Sequence, residues 1–113
     1  MHVISRKRLL EFGIEHPDAN QPLDDWYRVA KDATWNSLAE VHQVYPHADL
    51  YGIYTVFNIG GNKYRLVVEL HYENQVALIR HVLTHAEYDR NKWKQEMKRR
   101  TAELKKREKG KTK

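Results

Sequence analysis

The chain has 113 residues, 41% hydrophobic and 31% charged, with no cysteine and a formal net charge of +5 at pH 7. That length supports one domain with a single modest core. The lack of cysteine excludes disulfides, thiolate catalysis and cysteine zinc sites, and it suits a reducing cytoplasm, the expected location. No apolar run approaches the roughly 18 residues of a membrane span, so no membrane partner is expected. The first ten residues place Arg6, Lys7 and Arg8 before only Leu9 and Leu10, which does not read as a secretory signal.

In chain order, residues 2–4 form a short apolar edge strand, and Ser5 caps a helix through about Glu15, with Leu9, Leu10 and Phe12 as its buried stripe. His16-Pro17 ends it, and 18–21 form a loop. Pro22 opens a second helix whose first turn carries Asp24 and Asp25. There Trp26, Val29, Ala30 and Ala33 recur at helical spacing. A third, short helix covers 37–44, with Leu38, Val41 and Val44 on one side, until Tyr45-Pro46 stops it.

From Leu50 the period changes from 3.6 to 2. Strands are predicted over 54–59, 63–72 and 76–83. Gly60-Gly61 or Gly61-Asn62 makes the first tight turn, because such turns need positive φ. Glu73-Asn74 or Asn74-Gln75 makes the second. Thr84 and Glu87 then spell a capping box, and one helix is predicted from 85 to 107. Trp93, Met97 and Leu104 share a side of it. Residues 1–108 are the expected domain, and 109–113 are expected to be a disordered basic tail.

The charge is uneven. Residues 1–8 hold three basic and no acidic residues, 9–89 hold five basic and twelve acidic, and 90–113 hold twelve basic and three acidic. A basic end of this kind points to nucleic acid or an acidic protein partner, or serves only to keep the chain soluble.

Strand alternation sets which side chains share a face. Tyr54, Val56 and Asn58 share one with Lys63, Arg65, Val67, Glu69 and His71. A two-residue second turn adds Arg80, Val82 and Thr84. Tyr64, Leu66, Val68 and Leu70, with Ile79 and Leu83, form the opposite apolar face, under the first two helices. At the strand end, His85 takes the first helical position and Tyr88 follows at i+3. Free N–H groups at that helix start favour an anion. Arginines, lysine, imidazole and phenol thus gather near one sheet end, the groups a metal-independent ribonuclease uses. His71 falls on the opposite face from His81 and His85, so no metal site and no cofactor are expected. His42 and His47 lie outside the cluster.

The runs V-F-N-I-G-G-N-K-Y-R-L-V at 56–67 and I-R-H-V-L-T-H-A-E-Y-D at 79–89, with the opening M-H-V-I-S-R-K-R-L-L, resemble the HigB family of toxin–antitoxin toxins, within the RelE-like messenger-RNA interferases. The likeness covers residues 1–90. It implies a small α/β (α+β) fold with N-terminal helices on one face of an antiparallel sheet, cleavage of messenger RNA on the ribosome, and neutralisation by a helix-turn-helix antitoxin of the HigA kind. The implied chemistry is attack of the RNA's own 2′-hydroxyl on the adjacent phosphate. Arg65 is then expected to stabilise the phosphate, with Arg80 and Lys63 assisting and Asn58 and Lys92 binding RNA. His85 is the expected general acid or base, since histidine titrates near neutrality. Tyr88 is a proton donor or a stacking platform. Other readings are kept: Arg65 or Arg80 paired to Glu69, a non-catalytic module binding RNA or the ribosome, or a DNA-binding regulator whose last helix enters a groove. The basic helix is expected to bind ribosomal RNA in a salt-dependent way.

Overall fold

The computed structural model describes residues 1–111, with side chains through residue 107. Five strands make one sheet: β1 (His2–Ile4), β2 (Asp49–Tyr51), β3 (Tyr54–Ile59), β4 (Tyr64–His71) and β5 (Val76–Thr84). Their spatial order is β1-β5-β4-β3-β2. Only β1 runs parallel to its neighbour, β5, and the other pairs are antiparallel. Helices α1 (Arg6–Glu15), α2 (Asn20–Asp32) and α3 (Leu38–Val44) precede the meander, and α4 (His85–Asp89) and α5 (Lys92–Lys111) follow it. The expected mixed α/β architecture holds.

The N-terminal helices pack on one sheet face. Leu9 of α1 and Leu23, Trp26 and Ala30 of α2 meet Phe57, Leu66, Val68, Ala77 and Ile79. Trp26 and Phe57 are each 1% exposed and meet edge to face at 5.3 Å. Burying two such rings stabilises the core by roughly 2 kcal/mol each or more. Leu10 and Val44, assigned to buried stripes, are instead 54% and 50% exposed, because each short helix offers the core a single row of contacts. The expected loop over 18–21 is a 3-10 turn at Pro17–Ala19 running directly into α2. Edge strand β2 was not anticipated. Three residues are too few to show a period.

The opposite face is covered as well. Trp93 and Met97 of α5 pack with Tyr54, Val56, Val67, Leu83 and Tyr88. This is possible because the predicted continuous helix breaks after α4. Asn91 takes a left-handed φ of 63°, which asparagine tolerates better than most residues. The chain then turns back across the sheet. The α5 backbone is helical to Lys111, beyond the expected end at 107. Residues 112 and 113 of the tail expected to be disordered lie outside the described residues.

One irregularity redirects β5. The register runs Val68↔Ile79 and then Val67↔His81, leaving Arg80 as an extra residue. Such a bulge changes the parity of everything beyond it. Leu83, expected under the N-terminal helices, therefore joins the α5 side, and Val82 takes its place against the main core.

Candidate active site

The glycine turn places the first cation. Gly60 and Gly61 have φ of 60° and 67°, and the Lys63 N–H donates to Gly60 O at 3.4 Å. The resulting register sets Asn58 opposite Arg65, the outcome expected for a turn centred on Gly61-Asn62. Arg65 Nη1 donates to Asn62 O at 3.1 Å and to Tyr64 O at 3.2 Å. Its guanidinium carbon stands 5.4 Å from the centroid of the Tyr88 ring. Among the described residues no carboxylate pairs with Arg65. Glu69, the alternative partner read from the sequence, is taken by Arg100 and His71. A half-buried guanidinium that spends one nitrogen on two carbonyls keeps donors for an anion.

The capping box supplies the second half. Thr84 N–H donates to Glu87 Oε1 at 2.9 Å, and Glu87 N–H donates to Thr84 Oγ1 at 3.2 Å. His85 N–H donates to Lys63 O at 3.1 Å. These bonds use the leading amides of α4, so the helix start is not the open anion site expected from the sequence. What they do is lock α4 against the hairpin. Thr84 pairs with Tyr64, which puts His85 one step beyond, beside the arginine turn. The His85 Nδ1 lies 3.0 Å from Asp89 Oδ2, with both side chains exposed. A carboxylate there favours the tautomer protonated on Nδ1 and leaves the Nε2 lone pair free.

Tyr88 stands between the two groups in sequence and under Arg65 in space. Its ring stacks on Trp93 with centroids 5.1 Å apart and planes at 13°. Trp93 Nε1 donates to Tyr88 O at 3.1 Å. Burial pushes the Tyr88 pKa up, the Asp49 charge adds to this, and Arg65 and Lys94 oppose it. The phenol therefore holds its proton at neutral pH.

The other expected members are placed elsewhere. Lys63 sits in the turn, not in the strand, and its Nζ reaches Asp18 Oδ2 at 3.2 Å while Tyr64 Oη donates to Asp18 Oδ1 at 2.5 Å. It therefore turns towards the α1 side and away from Arg65. Arg80 sits at the bulge, roughly 10 Å along β5 from the residue paired with Arg65. Its carbonyl accepts from Arg8 at 2.6 Å, and its side chain lines a groove with Glu96, Arg99, Arg100 and Glu103. It shares the α5 side with Arg65 on the adjacent strand, as expected, but among the described residues the alternative pair with Glu69 is absent. Asn58 is exposed and borders an open groove of about 520 Å³ with Tyr45, His47 and Asn62. Lys92 is exposed at the start of α5, lining a separate hollow with His81, Arg90 and Glu96. His71, His81 and His85 each face a different carboxylate: Glu69, Glu96 and Asp89. His81 Nε2 is 3.0 Å from Glu96 Oε2 but not aligned for a hydrogen bond. Among the described residues no group of three or more metal-ligating side chains is clustered.

Two residues near the site were missed. Tyr51 of β2 meets Trp93 at 5.2 Å between centroids, and Lys94 Nζ stands 4.4 Å from the Tyr51 centroid. Lys94 is one lysine of many in its stretch, and Tyr51 lies on the strand that showed no period. Trp93 was read only as part of an apolar helix stripe.

Residues 19–91 match the HigB_toxin family, described as the RelE-like toxic component of a toxin-antitoxin system. A curated protein of Escherichia coli O6:H1, named mRNA interferase HigB, is 28% identical over 93 residues, covering 80% of this chain and 90% of that one. The mRNA interferase toxin HigB of Escherichia coli K12 is 30% identical over 92 residues, covering 79% and 88%.

Proposed function

From the premise that this chain belongs to the HigB family of RelE-like toxins, we propose that it is an mRNA interferase whose catalytic groups are Arg65, His85 and Tyr88. The relatives' names support the activity. The observation that carries the site is Arg65 itself: a half-buried guanidinium above Tyr88, in a hairpin whose turn accepts the His85 N–H at Lys63 O, with no carboxylate on it among the described residues.

The reaction needs no external nucleophile. His85 Nε2 takes the proton of the RNA 2′-hydroxyl, with Asp89 holding the ring and stabilising the imidazolium. The 2′-oxygen bonds to the adjacent phosphorus. Arg65 binds the non-bridging oxygens as charge builds there. The bond from phosphorus to the 5′-oxygen breaks, and that oxygen takes a proton from Tyr88. The products are a 2′,3′-cyclic phosphate and a free 5′-hydroxyl. Exchange with water restores both protonation states, and no metal or cofactor enters.

The partners in this reading are messenger RNA on the ribosome and an antitoxin, of the helix-turn-helix HigA kind, that neutralises the toxin in the cytoplasm. Exposed cations of α5, among them Lys98, Arg99 and Lys105, suit contact with ribosomal RNA phosphates. Among the described residues no helix is long and apolar enough to cross a membrane.

Induced expression of the parent, beside folded Arg65→Ala and His85→Ala, tests the assignment. Growth arrest with new 5′-hydroxyl ends in translated messages, lost in both variants, is the expected result. Intact messages, or variants that cut as well as the parent, overturn it in favour of a non-catalytic RNA-binding module.

A further inference from the structure

Trp93 is 3% exposed and meets two tyrosines. Tyr88 stacks on it at 5.1 Å, and Tyr51 meets it edge-on at 5.2 Å. The two tyrosine centroids therefore lie within about 10 Å of each other. Each tyrosine carries a cation: Arg65 at 5.4 Å from Tyr88, and Lys94 Nζ at 4.4 Å from Tyr51. The buried indole joins two copies of one unit, an aromatic ring with a positive group above it.

The second copy packs on Trp93 and is also partly open to solvent. Tyr51 is 39% exposed on an edge strand. Among the described residues no carboxylate pairs with Lys94. Asp49, on the same strand, is exposed and its charge reaches Tyr88; it opposes an anion on this surface, and Lys94 is the cation that must outweigh it. A single RNA strand repeats a phosphate and a base, and a repeated pair of cation and ring matches it. Stacking on aromatic rings with cations along the backbone is how unpaired strands are held without sequence-specific hydrogen bonds.

We propose that Tyr51 and Lys94 form a second nucleotide subsite, next to the phosphate held by Arg65. Tyr51 stacks on the neighbouring unpaired base and Lys94 neutralises its phosphodiester. This rests on the interferase reading for the position of the scissile phosphate, but not for the binding itself. Neither residue moves a proton. Their effect falls on affinity and on which bond is presented to Arg65.

The test is fluorescence anisotropy with a short single-stranded RNA and the full chain. Tyr51→Ala is expected to weaken binding roughly tenfold, the size of one lost stacked base, while Tyr51→Phe binds as the parent does. Lys94→Gln is expected to lower the slope of log affinity against log salt by about 0.7. An RNA with one abasic position should bind the parent as weakly as intact RNA binds Tyr51→Ala, and the two losses should not add. Thermal melting confirms that each variant folds. Unchanged affinity in Tyr51→Ala and Lys94→Gln, or fully additive losses, overturns the subsite. A parent that binds in this pattern yet leaves messages intact overturns the interferase reading and keeps the subsite.

Discussion

Arg100 of α5 closes on Glu69 of β4 through two parallel hydrogen bonds, Nε to Oε1 at 2.9 Å and Nη2 to Oε2 at 3.1 Å. Glu69 is 1% exposed, and His71 completes its shell. A carboxylate in a central strand is tolerated only when paired in this way. The pair pins α5 across the sheet and thereby holds Trp93 under Tyr88.

Arg100→Ala leaves that charge buried with one partner fewer. The expected cost is about 3–5 kcal/mol of folding free energy. Replacing both residues, Glu69→Leu with Arg100→Met, is expected to cost much less, because no charge remains in the interior. Urea titration of the three proteins measures this, and a single variant as stable as the parent would refute the role.

Stability should fall on acidification in two stages. Burial lowers the His81 pKa; Glu96 opposes this, and Arg80 and Arg8 reinforce it. The unfolded histidine therefore takes up its proton first, and stability declines below the ordinary histidine value of about 6.5. Burial alone would raise the Glu69 pKa, but the Arg100 and His71 bonds bring it below 4.5. The stability held by Glu69 is present above that value and lost as pH falls through the folded pKa. Melting temperature against pH should show both declines, and His81→Gln should lack the first.

Arg65→Ala should reduce cleavage roughly 10²–10³-fold with little change in melting temperature, since its hydrogen bonds go only to carbonyls of its own hairpin. Arg65→Lys should recover part of the rate, keeping the charge but losing the planar fork. Single-turnover cleavage of a defined message checks this; a melting temperature that drops with the rate would instead mark Arg65 as structural.

His85→Ala should cost roughly 10²–10⁴ in rate, and Asp89→Asn less, as it removes only the orienting carboxylate. Tyr88→Phe keeps the stack on Trp93 but loses the donor, so its rate separates the two roles left open for this residue. A Phe variant as fast as the parent leaves Tyr88 as a stacking platform only.

Local chemistry alone determined a good deal. The glycine turn, the two registers it allows opposite Arg65, the capping box at Thr84 and the change from helical to strand period near Leu50 are each set by residues close together in the chain. Positive φ, alternation and cap hydrogen bonds act over two to five residues, so they are legible in sequence. The arrangement around the site was decided at longer range. One unpaired residue at Arg80 shifted the parity of β5 and sent Leu83 to the other face. A left-handed Asn91 folded α5 back over the sheet face that carries Arg65. Only that return brought Trp93, Lys94 and Arg100 to Tyr88, Tyr51 and Glu69, because such contacts depend on where two distant segments pack and not on the order of residues in either.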